Sequence, residues 1–166
     1  MKSIARVALV VVLVAVAGWY GWQLGPWADA TPYAEPIDFA NLELASSPNQ
    51  YLVAPVGATP KAKPDAVSPV FAVPVDTLRD AVLAVTAEAP RFKVLDRSAD
   101  GTRMVLVQRS AILRFPDYIN VEILPAGQDG STLAVYSRSR FGYSDVGVNR
   151  ARVEALLADV RRRIGG

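Results

Sequence analysis

Residues 102–138 read TRMVLVQRSAILRFPDYINVEILPAGQDGSTLAVYSR, and this stretch decides the fold. Its first eight residues hold the apolar run MVLV, rich in the residue types that fit a pleated sheet. From residue 118 to 124, Ile119, Val121 and Ile123 alternate with Tyr118, Asn120 and Glu122. That is the period of two of a strand with one buried face. PAGQDG at 125–130 is turn chemistry, and residues 131–138 alternate again with Leu133 and Val135 on the inner side. Strands joined by such short connections pair antiparallel.

Working outward, Asp100-Gly101 is a hairpin signal, and residues 91–97 alternate with Phe92 and Val94 on one side. Upstream, Asp76 is placed to cap a helix running to about Glu88, with Leu78, Val82 and Val85 at helical spacing. Residues 68–73 form a short strand candidate before it. Downstream, residues 146–164 put Val153, Leu156, Leu157, Val160 and Ile164 on one helical face. The order predicts an α+β domain over residues 67–166: an antiparallel meander of four to five strands, covered on one face by two helices.

Nine of the twelve prolines fall between Pro26 and Pro74. Such spacing interrupts helices and central strands, so residues 25–66 read as a linker. Tyr33, Ile37, Phe39, Leu42, Leu44, Tyr51, Leu52 and Val53 within it predict that part of this linker packs on the domain.

From Val7 to Leu24 the only polar side chain is Gln23. Eighteen helical residues reach about 27 Å, close to a hydrocarbon core of about 30 Å. Trp19, Tyr20, Trp22 and Trp27 cluster at the far end, as an interfacial belt does. Lys2 and Arg6 precede the run, so the positive-inside rule predicts residues 1–6 in the cytoplasm, a single-pass signal anchor over 7–24 and a periplasmic or otherwise extracytoplasmic domain. The alternative is export with signal-peptide cleavage, for which residues 15–17 (AVA) and 28–30 (ADA) offer A-x-A patterns.

The chain has no Cys and no His. That excludes cysteine nucleophiles, Ser-His-Asp triads, zinc sites built on Cys or His, His- or Cys-ligated haem and disulfides. No cofactor is implied, and no D-x-D-x-D spacing suggests a carboxylate metal site. A net charge of +2 is too mild for a nucleic-acid surface. Arg161-Arg162-Arg163 reads as dipole compensation at a helix C-terminus.

One segment is over-specified: RSRFGYSDVGVNRAR at 138–152, between the last strand and the last helix. Arg138 and Arg140 share one face of the strand, with Ser137 and Ser139 on the other. Ser144 or Asp145 can cap the helix whose first turns hold Asn149 and Arg150. Free helix amides beside guanidinium groups suit an anion. The plainer reading is structural, with Asp145 capping and Asp117 pairing an arginine. Catalysis would need Ser137, Ser139 or Ser144 beside Asp117, Asp145 or Lys93, or an Asp117–Asp145 pair, and the sequence supports neither.

RFPDYINVEI and LAVYSRSRFGYSDVGVNRARVEALL resemble the domain-of-unknown-function family 1499 of bacteria and plastids. Its signature appears as Arg114, Phe115, Pro116 and Asp117, then Ser137, Arg138, Ser139, Arg140, Gly142, Ser144, Asp145, Gly147, Asn149 and Arg152. Looser similarity begins near Asn49, where SSPNQYLV resembles an entry motif that carries Pro-Asn-Cys in many members; here Gln50 stands at the Cys position. The resemblance implies no established activity. The expectation is an envelope protein, not an enzyme, whose domain recognises an anionic small molecule, a lipid headgroup or a partner protein through Arg138, Arg140, Ser144, Asp145, Asn149, Arg152 and Asp117. The alternatives are a hydrolase independent of His and Cys, and a purely structural module.

Overall fold

The computed structural model describes residues 2–24, 36–112 and 114–165. In chain order these form helix α1 (Lys2–Leu24), a 3-10 turn (Phe39–Asn41), strands β1 (Gln50–Ala54) and β2 (Ala66–Val67), helix α2 (Val75–Glu88), strands β3 (Phe92–Arg97), β4 (Arg103–Arg109), β5 (Pro116–Ala126) and β6 (Gly130–Ser139), and helix α3 (Val148–Gly165). The domain is α+β, and its strands make one six-stranded sheet in the order β2-β1-β6-β5-β4-β3.

The meander β3 to β6 is antiparallel, as expected. The full sheet is larger and mixed: β1 joins β6 antiparallel, and β2 joins β1 parallel. Both added strands come from the proline-rich stretch or its border. Gln50–Ala54 lies between Pro48 and Pro55, just long enough to pair without a proline in the ladder. Residues 68–73 supply a single bridge, Phe71 to Ser131, instead of a strand, because Pro69 and Pro74 bracket it too closely.

The register aligns apolar rows across the sheet. Met104, Val121, Val135 and Val53 are successive partners across four strands. Onto this face pack Leu78, Val82 and Val85 of α2, with Val153, Leu156, Leu157 and Val160 of α3, as the helical spacing predicts. Asp76 does not cap α2. Pro74 occupies the N-cap position without a side-chain bond, and Asp76 pairs with Arg79 in the first turn at 2.6 Å. Val94 shares the helix-side face with Phe92, opposite Leu106, but on this edge strand it is 39% exposed; the register slips between Val94 and Asp96, and Leu95 packs toward Val107 and Tyr118.

The second face of the sheet is covered as well, where the sequence suggests a one-sided sheet. Phe39, Leu42 and Ala62 bury Leu52, Ala54, Ala134 and Tyr136. Asn120, 3% exposed on that face, accepts a hydrogen bond from the Ile37 amide at 3.2 Å. The described part of the expected linker therefore packs as part of the fold.

Helix α1 occupies the expected anchor position. Its side chains described from Arg6 to Trp19 are all exposed. Among the described residues no helix is long and apolar enough to cross a membrane, so the expected transmembrane span is not shown. Tyr33, Trp27 and the second A-x-A pattern lie outside the described residues.

Phe39 measures how far residues 36–44 belong to the fold. Phe39→Ala is expected to cost about 3–5 kcal/mol in denaturant unfolding, the range for truncating a buried aromatic. A cost below about 1 kcal/mol would show the segment to be a peripheral strap.

Candidate functional site

Toward one end of the sheet the helix-facing rows turn from apolar to polar. Leu106 and Ile119 share a row with Ser137 and Tyr51, and the next row brings Gln108, Asp117 and Ser139 together. The first turns of α3 lie over these rows and lower Asn149 and Arg152 onto them.

Arg152 is 9% exposed and spends its fork entirely inside the protein. Nη2 donates to Asp117 Oδ2 in a buried ion pair. Nη1 donates to Ser137 Oγ at 3.0 Å and to Asn149 Oδ1 at 2.6 Å, and Nε donates to Gln108 Oε1 at 2.6 Å. Ser137 Oγ in turn donates to Asn149 Oδ1 at 2.7 Å. Asn149, fully buried, donates from Nδ2 to the Asn49 carbonyl, Ser139 Oγ and Asp145 Oδ2 at 2.6–3.0 Å. Asp145 also accepts from the Asn149 amide at 2.7 Å and the Gly147 amide at 3.1 Å, which satisfies free N–H groups at the start of α3.

Two positions that sequence reasoning left out complete the frame. Gln108 follows Met104 and Leu106 at period two, a polar group on an inward register that the alternation could have flagged. Asn49, 5% exposed, donates from Nδ2 to the Gly142 carbonyl and ties the loop after β6 to the entrance of β1. Beside it, Gln50 donates to the carbonyls of Ala45 and Ser47 at 2.6 and 2.9 Å and accepts from the Tyr136 hydroxyl. Burial pushes the Tyr136 hydroxyl up from its ordinary value, with the charge of Arg138 acting the other way, so it stays protonated and donates. At the position where the resembling entry motif carries Cys, Gln50 holds a loop by hydrogen bonds.

Six of the seven candidate residues thus fall into two sets, with Ser144 apart from both. Asp117, Asp145, Asn149 and Arg152 meet in the buried network. Arg138 points to the opposite face of β6, as the period of two requires, while Arg140 follows the end of the strand, and both are half-buried. Arg138 has no hydrogen-bond or ion-pair partner among the described residues. The Arg140 guanidinium lies 4.8 Å from the Phe141 ring centroid, and Phe141 contacts Phe115 at 5.5 Å, joining the loop after β6 to the loop before β5. Ser144 is exposed and accepts from the Val146 amide at 3.3 Å.

Among the described residues this geometry places none of the candidate serines beside a base. Ser137 Oγ touches an amide and a guanidinium, Ser139 Oγ accepts from Asn149, and Ser144 meets a backbone amide. Lys93 is exposed on edge strand β3. Asp117 and Asp145 are linked only through Arg152 and Asn149, each with its own donors. Among the described residues no group of three or more Asp or Glu is placed to hold a metal ion. The cavity beside Arg152, between Thr86, Phe92, Gln108 and Leu156, holds about 180 Å³, below the roughly 300 Å³ at which small-molecule pockets begin.

A buried charge left without its partner is costly. Arg152→Met is expected to destabilise by about 3–5 kcal/mol, and so is Asp117→Leu. The double variant is expected to regain more than half of the summed loss, since no uncompensated charge remains. Denaturation of the four proteins closes the cycle; strictly additive losses would show that the pair is not coupled.

No curated protein matches the chain. A family model described as "Protein of unknown function (DUF1499)" matches residues 32–160, which include the buried network, both arginine-bearing loops and the segment that covers the second face. The chain therefore belongs to the DUF1499 family of proteins of unknown function.

Proposed function

We propose that this protein is a non-catalytic accessory domain, held at a membrane by its N-terminal helix, that takes an anionic partner on the Arg138–Arg140 face of β6. The observation that carries the reading is Arg138: a half-buried guanidinium on a covered sheet face, without an acidic partner among the described residues. An arginine so placed has already lost part of its hydration and gains most from a phosphate or carboxylate that it can grip with two N–H groups. The inward residues of the same motif support a non-catalytic role, because their hydrogen bonds are made to one another.

Membrane attachment rests on the apolar run of α1, the flanking Lys2 and Arg6, and the aromatic residues at its far end, which orient the domain to the extracytoplasmic side. Export after signal-peptide cleavage leaves the domain in the same compartment. A purely structural module is the competing reading, favoured by the closed network around Arg152.

Arg138→Ala combined with Arg140→Ala separates the two. Titration of the full chain with glycerol 3-phosphate, followed by calorimetry, is expected to show binding to the wild type and none to the double variant. Unfolding free energy is expected to stay within about 1 kcal/mol, because neither arginine belongs to the buried pair. A wild type that binds no anion, or a variant that loses stability and binding together, returns the motif to the structural reading.

A further inference from the structure

The loop before β5 and the loop after β6 meet through Phe115 and Phe141 at one end of the sheet. That end exposes large apolar side chains that the fold does not use: Ile112 is 88% exposed, Tyr143 76%, Val146 92% and Val148 50%. Val146 is also held at φ 54°, a left-handed backbone that a β-branched residue rarely adopts. A strained valine turned into solvent is a cost that folding alone does not require.

The charge around these residues has one sign. Residues 109–117 and 138–150 carry five arginines, at 109, 114, 138, 140 and 150, against Asp117 and Asp145. Both aspartates are turned inward, Asp117 to Arg152 and Asp145 to Asn149. Arg150 pairs with Glu154 on the helix surface, whereas Arg114 and Arg138 have no acidic partner among the described residues.

We infer that this end of the domain seats on the surface of an anionic lipid bilayer, with Ile112, Tyr143 and Val146 entering the headgroup boundary and Arg114 and Arg138 reaching lipid phosphates. A side chain about nine-tenths exposed is an isolated apex, unsuited to the core of a protein interface of roughly 800 Å² per partner. A bilayer accepts such apices one at a time, with arginines binding the headgroups above them. The inference deepens the proposed function by naming its anionic partner, and it rests on α1 holding the chain at a membrane. The eleven residues from 25 to 35 span at most about 40 Å when extended, which keeps the domain within reach of the surface that anchors it.

The chain has no cysteine, so single labels are clean. Leu13→Cys, Val56→Cys and Tyr143→Cys, each carrying an environment-sensitive fluorophore, place probes in α1, beyond the far end of β1 and at the proposed contact. The full chain is reconstituted into bilayers of phosphatidylglycerol and phosphatidylcholine in equal parts, with nitroxide quenchers on the lipid chains. Quenching is expected at 13 and 143 but not at 56, and at 143 it is expected to fall in phosphatidylcholine alone. Arg114→Gln and Arg138→Gln are each expected to weaken the contact at 143 roughly fivefold. Val146→Asn, which tolerates the left-handed backbone and keeps the fold, is expected to reduce it too. Quenching at 13 with none at 143, or with more at 56 than at 143, overturns the inference and leaves the anchor standing. No quenching at 13 removes the anchor together with the inference built on it.

Discussion

Arg152 carries a positive charge to a place that is nine-tenths closed to water, and the order of this end of the molecule follows from the need to compensate it. A lone buried guanidinium is untenable, so Asp117 must stand on the neighbouring strand at the row that faces it. Its remaining N–H groups need acceptors with fixed geometry, and Ser137, Asn149 and Gln108 supply them. One side chain of α3 is thereby bound to β4, β5 and β6, and Asn149 extends the grip to the entrance of β1. Apolar packing of the same area could hold α3 at least as tightly, but it tolerates sliding along the helix axis. A set of directional bonds to four strand positions permits one axial placement.

Fixing α3 in turn fixes the loops around its N-terminus. Asp145 is committed to the Asn149 side chain and to two amides at the start of α3, and Asn49 holds the Gly142 carbonyl, so the segment between β6 and α3 is tied near both ends while its middle stays exposed. A domain that needed only a connection there could use a short turn of polar residues. This one leaves Phe141, Tyr143, Val146 and Val148 exposed on a segment that the buried network ties down near both ends.

Much of the fold was legible because its signals are local and periodic. The alternation of residues 118–124 and 131–138 and the helical spacing of Val153 to Val160 each depend on a single element, and each holds in three dimensions. What was hidden depends on partners distant in sequence. Gln50–Ala54 is five residues among prolines, and its strand character exists only because β6 offers a free edge from Val135 to Arg138. The covering of the second face by Phe39 and Leu42 is likewise invisible until β1 is placed. The candidate site shows the same division. Period two correctly separates Arg138 from Ser137 and Ser139, but nothing local says that the serine face lies under α3. Nor does it say that Gln108, twenty-nine residues before Ser137, completes the set.

The S-R-S-R pattern is therefore two interleaved patterns with opposite tasks. The serines belong to the interior, where a hydroxyl is small enough to sit under a helix and able both to give and to take a hydrogen bond. Arg138 between them belongs to the other face, where no acid among the described residues pairs with it, and Arg140 follows the end of β6 with its guanidinium over the Phe141 ring. A substitution in this motif therefore means different things at adjacent positions. At Ser137 it disturbs the seat of α3, and at Arg138 it alters a charged side chain that stands outside that network. The two meet at the loop after β6, which the first set holds in place and the second set charges.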